Sequence, residues 1–304
     1  YMNSGKMTNK GWEFRVDAVP FQNKDWRVGV YFNIAHNENK ITEMPDNYIE
    51  ENYTFGNGNY AYRREEGRPM GSFYGYRYKG VYQNKDATYA RDIEGNVMKD
   101  ISCNAIVMRN GSYTVAPGDP IYEDVNHDGV INQYDIVYLG NSNPRLTGGA
   151  GLNVSYKQFK LSAIFYGRNG QDVVNATRLN NESMRGIDNQ STAVLRRWRN
   201  EGDQTDIPRA LYGEGYNTLG SDRFVEDASY LRLKSLSFTY RLPKKAIQRW
   251  GFNNIDVYVT GYNLFTWTKY TGQDPEVKTE NTYARDTATT PASIQLVAGF
   301  NLSF

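Results

Sequence analysis

Apolar side chains return at every second position in segment after segment of this chain. The last stretch is the cleanest: Ile294, Leu296, Ala298, Phe300, Leu302 and Phe304 fall on one face. Ser293, Gln295, Gly299, Asn301 and Ser303 fall on the other, with Val297 the one apolar intruder. Trp12, Phe14, Val16 and Ala18 alternate with Glu13, Arg15 and Asp17, and Trp26, Val28, Val30, Phe32 and Ile34 alternate with Arg27, Gly29, Tyr31 and Asn33. Leu152, Val154 and Tyr156, then Phe159, Leu161, Ala163 and Phe165, then Ile255, Val257 and Val259 follow the same rule. A period of two is the strand period, because successive side chains point to opposite faces of a sheet. In Tyr230–Leu242 the apolar phase slips, from Leu231 and Leu233 to Leu236, Phe238 and Tyr240. A bulge near Lys234-Ser235 would absorb one residue and restore the facing.

The connections between these strands alternate in length. Gln22–Asp25 and Lys157-Gln158 are short turns, whereas long stretches separate Arg168 from Ser229 and Phe265 from Ser293. Structureless connections of more than about 15 residues are uncommon in compact domains. Short turns at one end and long loops at the other are the arrangement of a membrane barrel, while a soluble β-sandwich keeps its loops short at both ends. The expected class is therefore all-β: an antiparallel transmembrane β-barrel wall of roughly eight to ten strands. Two short helices are expected among the connections. One is Ser191–Arg199, capped by Ser191 or Thr192 with Val194, Leu195 and Trp198 on one face; the other is Pro243–Trp250.

Composition sharpens this. The 304 residues carry 35 Lys+Arg against 34 Asp+Glu, a formal net charge of +1, which argues against a nucleic-acid binder or a polybasic membrane-surface protein. Mean hydropathy is −0.71, and no apolar run is longer than Ile136–Leu139. A helical span needs about 20 apolar residues, so helical membrane spans are excluded. The opening residues Tyr1–Lys6 show no apolar signal core. The 25 Tyr and 28 Gly are heavy for an ordinary globular chain. Tyrosine, with an apolar ring and a polar tip, suits the boundary between hydrocarbon and water. Cys103 stands alone, so no internal disulfide or cysteine-based zinc site is available.

The sharpest local motif runs from Asp124 to Asp135. Asp124, Asn126 and Asp128 stand at positions 1, 3 and 5 of a calcium loop, Gly129 at 6, the Val130 carbonyl at 7, Asn132 at 9 and Asp135 at 12. Alternate oxygens at this spacing wrap a hard cation that needs 6–8 of them. A shorter Asp where Glu is usual weakens the last ligand. The same residues also suit a turn-rich loop that uses Asp, Asn and Gly for backbone geometry alone. No second copy is present, so a structural calcium clip within an exposed loop is expected here, at 121–140. Gly56–Ala61 matches a dinucleotide-binding glycine string without the strand–loop–helix context that would give it meaning. His36 and His127 have no ligand neighbours at metal spacing, and pairs such as Glu65-Glu66 and Asp203/Asp206 read as solvated loop charges.

Several segments together resemble the C-terminal third of SusC/RagA-type TonB-dependent outer-membrane transporters. They are Arg68–Tyr76 with Lys79–Gln83, Gly118–Pro120 ahead of the calcium-like loop, Leu139–Pro144, Gly148–Asn153, and Arg197–Asp203 leading to Ile207–Arg209. Ser229–Lys234, Tyr262–Trp267, Asp274–Glu276 and the final strand ending in Phe304 complete the series, in order and over nearly the whole chain. The resemblance implies a barrel of about 22 strands around an N-terminal plug. It also implies energising by the TonB–ExbB–ExbD complex through that plug, and a SusD-like surface lipoprotein that helps capture an oligosaccharide or peptide. The terminal strand ending in Phe304 resembles the signal read by the barrel assembly machinery. On this reading residues 1–304 are the C-terminal part of a Gram-negative outer-membrane barrel, with the plug domain and N-terminal barrel half absent. Its work is gated import rather than catalysis. Two rivals remain: a surface glycan-binding or adhesion β-protein, and a structural barrel component of a secretion complex. The residues that bind substrate are not legible.

Overall fold

The computed structural model describes residues 5–44, 59–61, 63–213, 216–277, 279–280 and 283–303. Phe304 and the first half of the Gly56–Ala61 string, Gly56–Gly58, lie outside these residues. Seven long strands make one antiparallel sheet: β1 (Lys6–Gln22), β2 (Trp26–Glu43), β3 (Leu146–Tyr156), β4 (Phe159–Asn169), β5 (Tyr230–Arg241), β6 (Asn254–Thr268) and β7 (Gln295–Ser303). Each pairs only with its neighbours in that order, an up-and-down wall. Seven of the roughly eight to ten expected strands therefore build the wall among the described residues; the other extended stretches are short and lie in the loops.

The register turns sequence alternation into two faces. One row across all seven strands reads Ala18–Val30–Leu152–Ala163–Leu236–Gly261–Leu296. One step along, the row reads Gly29–Asn153–Ser162–Ser237–Thr260, closing on Val297. The first row is apolar and open on its outer side, the second polar. At the short-turn end of the outer face runs the row Trp26–Tyr156–Phe159–Tyr240–Val257–Phe300, with the rings of Trp26 and Tyr156 at 4.3 Å. Ten residues further along β2 stands His36, level with Trp12 and Leu146. Ten residues rise about 33 Å along a strand, or about 25 Å once it tilts by roughly 40°, the height of an apolar band between two aromatic girdles.

The expected bulge is present. Ile164 pairs with Ser235 and Phe165 with Leu233, leaving Lys234 unmatched on the β4 side. On the β6 side Leu233 pairs with Phe265 and Ser235 with Tyr262, so Asn263 and Leu264 together face Lys234. Asn263 takes up the extra residue with φ of +53°, a left-handed conformation that asparagine tolerates better than most. Leu231 and Leu233 before the bulge and Leu236 and Phe238 after it then share the outer face.

At the opposite end, the connections between β2 and β3, β4 and β5, and β6 and β7 pack together. Ser72–Gly75 pairs with Val137–Asn141, Tyr78–Val81 with Pro120–Tyr122, and Asp172–Asn175 lies between Val225–Asp227 and Tyr283–Asp286. The largest fully buried side chains, led by Tyr74, Phe73 and Phe224, all lie outside the seven wall strands. One cluster gathers Tyr74, Tyr76, Tyr82, Tyr122, Ile131 and Leu219; a second gathers Tyr60, Phe73, Val174, Leu179 and Phe224.

The two helical segments also form, with one difference. Ser191 caps Thr192–Arg196 by accepting from the Ala193 N–H at 3.2 Å. The segment is a 3-10 turn rather than an α-helix. With about three residues per turn the apolar face is narrower, so Val194 and Trp198 are buried while Leu195 is 64% exposed. Lys244–Ile247 and Gln248–Trp250 make the second helical segment, on the short-turn side.

Candidate functional site: the lumen face and the loops above it

The polar face of the wall is knitted across strands. The Ser162 hydroxyl donates to Asn153 Oδ1 at 2.8 Å, and the Ser237 and Thr260 hydroxyls share a hydrogen bond of 2.8 Å. Cross-strand pairs of this kind stabilise a sheet by about 0.2–1 kcal/mol each. Higher on the same face sits Arg232, 2% exposed. Its Nε donates to Thr266 Oγ1 at 2.9 Å, its Nη1 to Glu276 Oε2 at 2.8 Å, and its Nη2 is ion-paired with Asp274. Lys234, presented by the bulge, also reaches Glu276 Oε2 at 2.9 Å. The segment after β6 is thereby clamped to the polar face. Burial raises the Asp274 carboxyl, but N–H donors from Ala292 and Glu276 and the Arg232 guanidinium outweigh it and hold the group below the ordinary aspartate range.

The segments that carried the family resemblance meet in space. Asp119, fully buried, accepts from Arg209 Nε at 2.7 Å and from the Tyr113 hydroxyl at 2.9 Å. This pairing, with Asp119 first among the causes, raises the Arg209 guanidinium. Gly118 has φ of +90°, and a Cβ there would lie 2.3 Å from the Trp198 ring, so glycine is required twice over. Asn141 donates to the Met70 carbonyl at 2.9 Å, joining Leu139–Pro144 to Arg68–Tyr76. Three of the four acids read as solvated loop charges have partners, while Asp206 is exposed. Glu65 accepts from the Tyr74 hydroxyl at 2.9 Å, Glu66 from the Met44 N–H at 2.8 Å, and Asp203 from the N–H groups of Arg199 and Asn200.

Within the calcium-like loop the six ligand positions form one compact turn. Asp124 accepts from the N–H groups of Asp128 (3.2 Å) and Gly129 (2.8 Å), and Asp128 Oδ1 from Val130 N–H at 2.8 Å. Asn126 Nδ2 donates to Asp128 Oδ2 at 2.9 Å, bringing positions 3 and 5 together. Asn132 caps the following turn by accepting from Tyr134 N–H, and its own Nδ2 donates to the Val130 carbonyl at 3.1 Å. Asp135 is fully buried and accepts from Val125 N–H at 2.8 Å and Asn132 N–H at 2.9 Å. Burial holds its carboxyl above the ordinary range, against those N–H donors. Positive φ at His127 and Gly129 turns the backbone around the centre. The oxygen-rich donor set matches a hard cation. Among the described residues, however, no three His, Cys, Asp or Glu side chains are gathered as a metal cluster: the carboxylates are turned onto backbone N–H groups instead.

Two features were not singled out from sequence as sites. One is the Arg232 clamp, whose only signal was a cation in the inward phase of an alternating strand. The other is a polar cleft of about 820 Å³ where the tops of β1 and β2 meet the loops, lined among others by Asn39, Arg68, Tyr138, Arg145 and Asp172. His36 Nδ1 lies 2.7 Å from the Arg145 carbonyl at this cleft.

No family model matches the chain. Individual relatives do. TonB-dependent receptor P3 of Formosa agariphila is 32% identical over 290 residues, covering 92% of this chain and 26% of the relative. TonB-dependent receptor SusC of Bacteroides thetaiotaomicron is 26% identical over 311 residues, covering 99% of this chain and 27% of SusC. Among solved structures, the RagAB peptide transporter matches with a TM-score of 0.71 and 28% identity, over the whole chain and 30% of its counterpart. The chain is a β-barrel wall with its loops, of the TonB-dependent receptor class. Within that class it is similar to SusC and to the RagAB peptide transporter, and it spans between a quarter and a third of the length of the relatives it matches.

Proposed function

We propose that this chain is the C-terminal barrel portion of an outer-membrane transporter that imports an oligosaccharide or peptide, energised through TonB and served by a SusD-like surface lipoprotein. The observation that carries the proposal is the wall itself, apolar and open on one face and polar on the other, with a packed loop assembly at one end only. That assembly is where a capping lipoprotein would sit. Two tandem turns there expose Ile93 and Ile101 at 85% and 105%, each held by an aspartate, Asp92 or Asp100, that accepts backbone N–H groups. The polar cleft above β1 and β2 mixes amides with both signs of charge, which suits a hydroxyl-rich or zwitterionic substrate better than an apolar one. The end of β7, running into Phe304, would serve the barrel assembly machinery.

Uptake by cells carrying the intact protein tests this. Labelled oligosaccharide and peptide pools should enter in the wild type and stop entering when the gene or TonB is removed. Uptake indifferent to both losses would favour the adhesion or secretion-complex reading. The loop from Asp124 to Asp135 is proposed to hold Ca2+ as a structural clip through Asp124, Asn126, Asp128, the Val130 carbonyl, Asn132 and Asp135. Chelator should make Gly118–Gly140 more protease-sensitive, and calcium should reverse it. Unchanged cleavage, with no heat in a calcium titration, would remove calcium from the description.

A further inference from the structure

On the outer face, near the loop end, the wall is grooved. The row Phe14–Ile34–Gly148–Gly167–Leu231–Trp267 places two glycines side by side on β3 and β4. Both are fixed by close backbone approach: a Cβ at Gly148 would lie 2.7 Å from the Asn33 carbonyl oxygen, and one at Gly167 would lie 2.8 Å from that of Tyr230. In the next row down, the residue between Phe32 and Phe165 is only Ala150. Bulky side chains therefore stand on both sides of a floor that has almost none. The result is a trough of about 720 Å³, with Phe32 and Ile34 as one bank and Leu231 and Trp267 as the other. That volume is in the range of about 300–1,000 Å³ typical of small-molecule sites. The trough lies in the middle of the sheet, so an unpaired edge does not create it.

The trough's surroundings name its occupant. Its length lies within the apolar band of the wall, and its upper end opens beside Ser229, Asp227 and Lys269. Asp227 is occupied by the N–H and hydroxyl of Ser229, and Lys269 is exposed with no ion pair among the described residues. A flat apolar wall touches a lipid chain on one side. A trough touches it on three, and dispersion contacts add up accordingly. A cation just beyond Trp267, at the upper end of the apolar band, is placed for a headgroup phosphate. We infer that this trough holds one acyl chain of a phosphorylated glycolipid from the outer leaflet, with Lys269 meeting its phosphate. The inference rests on the outer-membrane reading above, because the long-loop end of the wall then faces the cell exterior.

Native mass spectrometry of the intact transporter with its lipoprotein, stripped in detergent and re-exposed to lipid, tests it. Lipid A and phosphatidylethanolamine are the two probes. The wild type should retain one lipid A, Ala150→Leu should cut retention at least tenfold by filling the trough, and Lys269→Glu should weaken lipid A, whose phosphates no ammonium offsets, several-fold and the zwitterionic phosphatidylethanolamine less. Ala298→Leu, on the outer face of β7 away from the trough, should retain lipid A. No retention by the wild type, full retention by Ala150→Leu, or equal retention of both lipids would each overturn the site. Heat-modifiable migration and TonB-dependent uptake, followed in every variant, report the barrel and transport separately: their loss in the wild type would count against the transporter reading, and their persistence without lipid against the trough alone.

Discussion

The wall and the loop assembly use the same kinds of side chain and treat them oppositely. In the wall, Trp12, Phe14 and Phe300 are open, the last 67% exposed, although they belong to the most regular part of the molecule. In the loops, Phe73, Tyr74 and Phe224 are fully buried, although little regular structure surrounds them. One region closes its backbone hydrogen bonds within a ladder and leaves its apolar rows to the surrounding hydrocarbon. The other hides its apolar surface from water in the usual way. Burial alone would call the wall a failed core; burial with register shows that it faces a different solvent.

This contrast can be broken at either region. Phe73→Ala, in the loop core, should cost about 3–5 kcal/mol of loop stability. It should be read as faster hydrogen exchange in Ser72–Gly75 and Val137–Asn141, with heat-modifiable migration of the wall retained. On β3, Leu152→Arg should cost about 2–4 kcal/mol because it places a charge on the lipid face near the middle of the band. Its neighbour Asn153→Arg, on the polar face, should shift stability by only about 0.5 kcal/mol. Denaturant titration in vesicles compares the two, and equal costs would dissolve the distinction between the faces.

A smaller effect concerns the clamp between the regions. Because the Asp274 carboxyl is held below its ordinary value of 3.8, its contribution to docking the segment after β6 is present above that value. It is lost as pH falls through the lower folded value. Hydrogen exchange in that segment should therefore stay slow from neutral pH down to about pH 4 and rise only below it. Asp274→Asn should remove the pH step while leaving β7 paired.

How much of this was legible depends on which physics a segment obeys. The wall was readable because one solvent on each face forces period two, and the slip at Lys234-Ser235 marked its own bulge. The reading stopped short where β2 leaves the band. Asn37, Glu38, Asn39 and Lys40 carry no apolar phase, yet the strand continues to Glu43 against Lys6 and Lys10 of β1. Above that level, both faces meet water and the pattern has nothing to record. The loop assembly was opaque for another reason. Its bonds join residues far apart in the chain, such as Asp119 with Arg209 and Arg232 with Asp274, and no local period announces them. The segments of the resemblance marked which residues matter there, but not that they touch one another.

The most direct measurement is a nitroxide scan along Leu236–Thr239 of β5 and Leu296–Gly299 of β7, in the intact protein in outer-membrane vesicles, with Cys103 first replaced by serine. Oxygen collisions should peak at positions 236, 238, 296 and 298, and collisions with a water-soluble nickel complex at 237, 239, 297 and 299. Uniform accessibility, or the two patterns in the same phase, would contradict a wall that separates lipid from a polar lumen.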